Sequence, residues 1–118
     1  MATLDLDRQL VTVIVLFRVK PNQQSAVMEQ VKRLFAIAKA QPGFVSANLH
    51  RSFDGVKVAN YAQWQTEDAL NQFRDRPDTH ALWSEMQDLV EEADSHIYEI
   101  VASESTVGAP QIAVGQYY

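Results

Sequence analysis

The sequence predicts a single α+β domain with the order strand, helix, strand, strand, helix, strand around an antiparallel sheet. Three observations carry this expectation. Residues 11–19 form a run of β-branched and apolar residues closed by Pro21-Asn22. Residues 23–40 show apolar positions at helical spacing. An Asp54-Gly55 pair separates two further extended runs, and Asp-Gly is a strong hairpin signal because glycine takes positive φ at no steric cost.

Each element follows from its residues. Val11 to Val19 reads as a strand by composition. Asn22 is the expected cap of the next segment, where Val27, Val31, Leu34, Phe35 and Ala38 recur on one face while Glu29, Gln30, Lys32 and Arg33 fall elsewhere. Gln41-Pro42-Gly43 stops that helix with the two residues least able to continue it. Residues 44–51 and 56–64 read as an antiparallel pair of strands joined by the turn Ser52-Phe53-Asp54-Gly55. Thr66 caps the following helix, whose first turn carries Glu67 and Asp68 at the positive end of the helix dipole. A break is expected at Arg76-Pro77, with Asp78 capping a further piece whose stripe is Leu82, Met86, Leu89 and Val90. Residues 97–102 are the expected fourth strand.

This order is the split βαβ, ferredoxin-like pattern: helices on one face of an antiparallel sheet, leaving the other face to meet water, a partner or a ligand. The domain is placed at residues 8–105. Residues 106–118 form an extended C-terminal tail around Gly108, Pro110 and Gly115, with room for one short strand at 111–114.

Bulk properties narrow the function. A chain of 118 residues holds one domain and buries roughly two-thirds of its unfolded surface. With no cysteine, it has no disulfide framework, thiolate metal site or Cys nucleophile, and it suits a reducing compartment. Fifteen acidic against ten basic residues, without a basic stripe, argue against nucleic acid as a partner. The longest apolar run is too short to span a bilayer and residues 1–8 lack a signal-peptide core, so no membrane association and a cytoplasmic location are expected.

Alternation along residues 56–64 puts Val56, Val58, Asn60, Ala62 and Trp64 on one face, and Lys57, Ala59, Tyr61 and Gln63 on the other. Asn60 is the polar exception on an apolar face. A buried carboxamide costs roughly 1–3 kcal/mol when its hydrogen bonds go unmade, so it needs a structural partner or a ligand. Either a core Asn bonded to a neighbouring backbone group or a carboxamide presented to a Trp64-walled pocket fits the spacing. Tyr61, on the opposite face, is expected to pack under the helices.

The run Asn60-Tyr61-Ala62-Gln63-Trp64-Gln65-Thr66-Glu67, with Gln41-Pro42-Gly43-Phe44 and Ser52-Phe53-Asp54-Gly55 upstream, resembles the antibiotic-biosynthesis monooxygenase family over about residues 10–103. The likeness is greatest to members that oxidise an anthrone to a quinone without a cofactor. It implies a dimeric α/β barrel built by pairing the sheets of two copies, so the expected partners are a small aromatic substrate, O₂ and a second copy of the chain. It also implies catalytic roles for Asn60 and Trp64 in holding a phenolic substrate and stabilising its deprotonated form. Neither a cofactor nor a metal is expected. The Tyr and Arg that handle protons in those relatives are replaced here by Leu70 and Trp83. Arg74 and Arg76 lie nearby as substitutes, though a solvated face suits both.

The remaining substrate-binding candidates are His50, His80, Trp83 and Asn48. His50 and Asn48 share a strand face with Ser46 and Phe44 that is polar enough to line a barrel interior, although a rim position also suits His50. His80 lies beside Trp83 on the second helical region, and His96 is read as structural or exposed. The expected function is therefore a cofactor-independent monooxygenase acting on a quinol or polyphenol. A non-catalytic dimeric barrel binding an aromatic ligand is the alternative. A haem-degrading enzyme is a weaker one: His80 would be the axial ligand, but residues 11–19 lack the Asn such enzymes carry.

Overall fold

A computed structural model of the chain describes residues 10–106. Strand β1 (Val11–Val19) is followed by helix α1 (Gln24–Ala38), strands β2 (Phe44–Arg51) and β3 (Lys57–Trp64), helices α2 (Glu67–Arg74) and α3 (Pro77–Gln87), and strand β4 (Val90–Tyr98). The sheet order is β2-β3-β1-β4, with every neighbouring pair antiparallel. This is the expected ferredoxin-like arrangement, with the second helix split in two.

The split has a local cause. Pro77 occupies the first turn of α3, where its missing N–H is one no helix would use. Arg76 before it is extended, at φ −67° and ψ 137°, as a residue preceding proline prefers. Arg76, rather than Asp78, is the cap residue. Asp78 sits in the first turn, accepts from the Thr79 N–H, and pairs through both carboxylate oxygens with Arg76 at 3.0 and 3.1 Å. Thr66 caps α2 as its sequence implies, its Oγ1 accepting from the Ala69 N–H at 3.1 Å. Asn22 does not cap α1. It takes φ +65° in the turn before the helix, and Gln23 is the cap position, without a side-chain bond.

The fourth strand lies earlier than expected: it spans Val90–Tyr98 rather than residues 97–102, and α3 ends at Gln87, so Leu89 and Val90 leave its stripe. Val90-Glu91-Glu92-Ala93-Asp94-Ser95-His96 has little intrinsic strand preference. Pairing decides instead. The long β1 presents a free edge, and β4 docks along it from Val19↔Val90 to Thr12↔Tyr98. As an edge strand its mostly polar side chains are exposed without penalty.

The core lies between the sheet and the helices. Val13, Val15, Phe17 and Val19 of β1 pack with Val58 and Trp64 of β3, Val27, Val31 and Leu34 of α1, Leu70 of α2 and Met86 of α3. The Asn60 set of β3 therefore faces the helices and the Tyr61 set faces away. Tyr61 does not pack under the helices, as alternation alone had suggested; the registers place it on the far face between Ile14 and Asn48.

Gly43 closes the turn from α1 into β2 at φ +86°, and its carbonyl accepts from the Gln65 N–H at 2.7 Å. A Cβ there would stand 2.6 Å from that of Ala69, so the turn and α2 approach as closely as they do because residue 43 has no side chain. The tail at 106–118 lies outside the described residues except for residue 106.

Candidate functional site

A cavity of about 50 Å³ lies between the sheet and the helix layer. Its sheet wall is Val13 and Val15 of β1, Ala47 of β2, and Asn60, Ala62 and Trp64 of β3. Its helix wall includes Leu34 and Phe35 of α1, Leu70, Phe73 and Arg74 of α2, and Trp83 of α3. Ser95 of the edge strand also lines it and is exposed, which marks where the cavity approaches the surface.

Aromatic rings frame this space. The Trp64 indole is buried, stacks on Phe73 at 5.2 Å between ring centroids, and meets Phe44 edge-on at 5.4 Å. Trp83 packs on Phe17 at 5.7 Å. Both tryptophans of the chain therefore line one cavity.

Asn60 is the polar point of the β3 wall. It is half-buried between Val58 and Ala62, opposite Val15 of β1 and Leu49 of β2. Its Oδ1 is buried with no hydrogen-bond partner among the described residues. That separates it from Gln63, almost fully buried on the other face, which donates to Thr12 Oγ1 at 3.4 Å and accepts from Ser46 Oγ at 3.3 Å. A core carboxamide bonded to a neighbouring backbone group, one of the two readings open at the sequence level, is not what Asn60 does.

The other candidates divide. Trp83 and Leu70 both line the cavity and leave its helix wall apolar at those points. Asn48 and His50 do not join Asn60. They pair with Tyr61 and Ala59, on the far face of the sheet. A bulge between Phe44 and Ser46 is responsible: it turns Phe44 to the helix side beside Trp64, so Phe44 and Ser46 do not share a face as simple alternation implies. His80 is exposed on α3 and does not line the cavity. His96 is exposed on β4, its Nε2 2.7 Å from Asp94 Oδ1. Arg76 is engaged with Asp78 and Gln41.

Arg74 is the lining residue that a solvated-face reading misses. It is half-buried and lines the cavity from the last turn of α2. A signal was present in its spacing: Leu70, Phe73 and Arg74 stand at i, i+3 and i+4, so a helix that buries Leu70 turns Arg74 to the same side. Among the described residues no helix is long and apolar enough to cross a membrane.

Comparison with known proteins agrees with this architecture. The chain is 38% identical to the tetracenomycin-F1 monooxygenase of Streptomyces glaucescens over 68 residues, 57% of this chain and 61% of that protein. It thus spans about three-fifths of that relative's length. A Mycobacterium tuberculosis protein of known structure superposes with a TM-score of 0.72 at 21% identity, over 81% of this chain and 99% of that one. SnoaB, a cofactor-independent oxygenase from Streptomyces nogalater, superposes at 0.70 and 22% identity, over 86% and 99%. At these identities the two structures speak for the fold. Residues 10–83 match the family described as antibiotic biosynthesis monooxygenase, more than half of the chain. The chain belongs to the antibiotic biosynthesis monooxygenase family.

Proposed function

We propose that the protein is a cofactor-independent monooxygenase that oxidises a phenolic, anthrone-like substrate with O₂ to a quinone. The observation that carries this reading is the Asn60 carboxamide, unpartnered at Oδ1 in the wall of a cavity built mostly of apolar and aromatic side chains. Kinship with a tetracenomycin-F1 monooxygenase supports it.

The chemistry asks little of the protein. An anthrone methylene and O₂ give a carbonyl and water: one oxygen atom enters the substrate, the other leaves with the two methylene hydrogens. The deprotonated substrate is electron-rich enough to reduce O₂ directly. The carboxamide carries both a donor and an acceptor, so its Nδ2 can donate to the substrate oxyanion. Trp64 and Phe73 offer a stacked aromatic wall for the ring system, and the apolar lining keeps water from the reactive anion.

The cavity must open to do this. A dry cavity of about 150 Å³ holds one benzene ring, and about 50 Å³ is less than that. Entry of a substrate therefore moves wall residues, and Trp83 of α3 is the bulkiest lining side chain that is not fully buried.

Turnover in isotopically heavy O₂ tests the reading. One labelled oxygen in the product carbonyl is the expected result, whereas turnover that survives removal of O₂ rejects it. The second reading, a barrel that binds an aromatic ligand without reaction, is favoured by one feature: Leu70 and Trp83 cannot carry protons. Saturable binding with no O₂ uptake across a panel of anthrones would select it.

The functional unit in this proposal is a homodimer paired through the far sheet face, where Ile14, Leu16 and Tyr98 stand among polar neighbours and Leu16 and Tyr98 are exposed. A Leu16→Asp variant sedimenting as a monomer is the expected outcome, and a wild-type monomer would reject it. An acidic chain without cysteine suits a reducing cytoplasm.

A further inference from the structure

The cavity holds one charged side chain, Arg74, and the substrate reading leaves it without a task. Its half-buried side chain belongs to a helix-side wall otherwise made of apolar residues such as Leu34, Phe35, Leu70, Phe73 and Trp83. Among the described residues it forms no ion pair or hydrogen bond. The other arginines of the helix layer are engaged: Arg33 donates to Gln30 and Arg76 to Asp78 and Gln41. A cation at the end of α2 also suits the negative end of the helix dipole. That would be equally served by a side chain lying over solvent, and it does not explain an arginine among the apolar residues of the cavity's helix wall.

We propose that Arg74 is the charge-reading residue of this site, holding the negative charge of an anionic aromatic substrate. The inference rests on the reading of the Asn60 cavity as the substrate site. Guanidinium presents a fixed fork of N–H donors that matches a carboxylate and has no acceptor of its own, so a neutral substrate leaves it unanswered. With apolar cavity walls on one side, its attraction for an anion is stronger than at a fully open surface. The anion has two possible sources: a carboxylate the substrate carries permanently, or the phenolate formed when the bound substrate loses its proton. In the second case Arg74 stabilises the form that reacts with O₂.

Both tryptophans line the cavity, so their fluorescence reports occupancy directly. Binding of 1-naphthoate, 1-naphthol and the neutral 1-naphthalenemethanol would be measured on the full chain under nitrogen, for wild type, Arg74→Met and Arg74→Lys. For a carboxylate source, wild type prefers naphthoate to the alcohol by about tenfold or more, as a charge-assisted hydrogen bond supplies. Arg74→Met erases the preference and Arg74→Lys keeps part of it. For a phenolate source, the absorbance titration of bound naphthol moves to lower pH in wild type and returns in Arg74→Met. The methionine keeps the aliphatic stem, and an unchanged melting curve separates lost charge from lost folding. Equal affinity for the three probes, no binding of any of them, or a preference that survives Arg74→Met overturns the proposal. Because the measurement excludes O₂, its outcome is independent of whether the protein proves to be an oxygenase.

Discussion

The two faces of the sheet carry opposite kinds of polar residue. On the helix side, Val13, Val15, Phe17, Val58, Ala62 and Trp64 make an apolar surface broken by Asn60, whose Oδ1 is unpartnered. On the far side, Thr12, Gln63 and Ser46 form a connected row in which each side chain answers another. Gln63 is the more buried of the two amides, yet Asn60 is the one without its bonds. Burial of a polar group is therefore a poor guide to function by itself. A group buried with partners specifies the sheet, and a group buried without them at a cavity wall is available to a ligand. Asn48 on the far face is an intermediate case: its Nδ2 is also unpartnered, but it stands in the polar row rather than among apolar walls.

The largest effect should come from removing the apolar side of this contrast. Trp64→Ala is expected to cost about 3–5 kcal/mol, since it deletes a fully buried indole and its contacts to Phe44 and Phe73. Urea unfolding measures it, and a loss below about 1 kcal/mol would show that the helix-side face is not the core. The two amides make the sharper pair. Asn60→Ala should lower turnover by about 10²–10³ while changing stability by less than about 1 kcal/mol, because no hydrogen bond is lost. Gln63→Leu should do the reverse on stability, costing about 1–3 kcal/mol by stranding Thr12 and Ser46. If the two swap behaviour in parallel melts and assays, the contrast between the faces fails.

Gly43→Ala tests how tightly the turn below Trp64 holds α2. Positive φ and the approach to Ala69 together predict a loss of about 1–3 kcal/mol by thermal unfolding. A neutral result would mean that the turn has room to shift. The smallest effect lies away from both faces and depends on pH. The Ser52 hydroxyl, 2.6 Å from Asp54, holds that carboxyl below its ordinary value of 3.8, and the Arg76 guanidinium does the same for Asp78. Groups with depressed folded-state values contribute stability that is complete above pH 3.8 and fades as pH falls through the lower folded value. The double variant Asp54→Asn, Asp78→Asn should therefore lose acid sensitivity only below about pH 4 and behave alike with wild type in its slope near neutrality. A changed slope near pH 7 would point to other groups.

Local chemistry determined a good deal of this molecule before any tertiary contact. The first three strands, α1, the Thr66 cap, the Asp54-Gly55 turn and the break at Pro77 follow from residues acting on their own backbone, through β-branching, capping, positive φ and a missing N–H. The alternation that isolates Asn60 from Tyr61 is likewise a property of a strand. Which of those sets meets the helices is not, because alternation has no sign until the sheet packs. Asn60 turns inward with Trp64, and His50 and Asn48, read as possible neighbours, end on the other side beyond the bulge at Phe44–Ser46. Strand β4 escaped local reading for a related reason: its hydrogen bonds to β1 are supplied by residues about eighty positions away, and its polar side chains carry no trace of them. The sequence by itself determined the elements and the polar exception within one of them. Only the tertiary structure decided that this exception faces a cavity with Arg74 on the opposite wall, since that depends on two elements closing over one space.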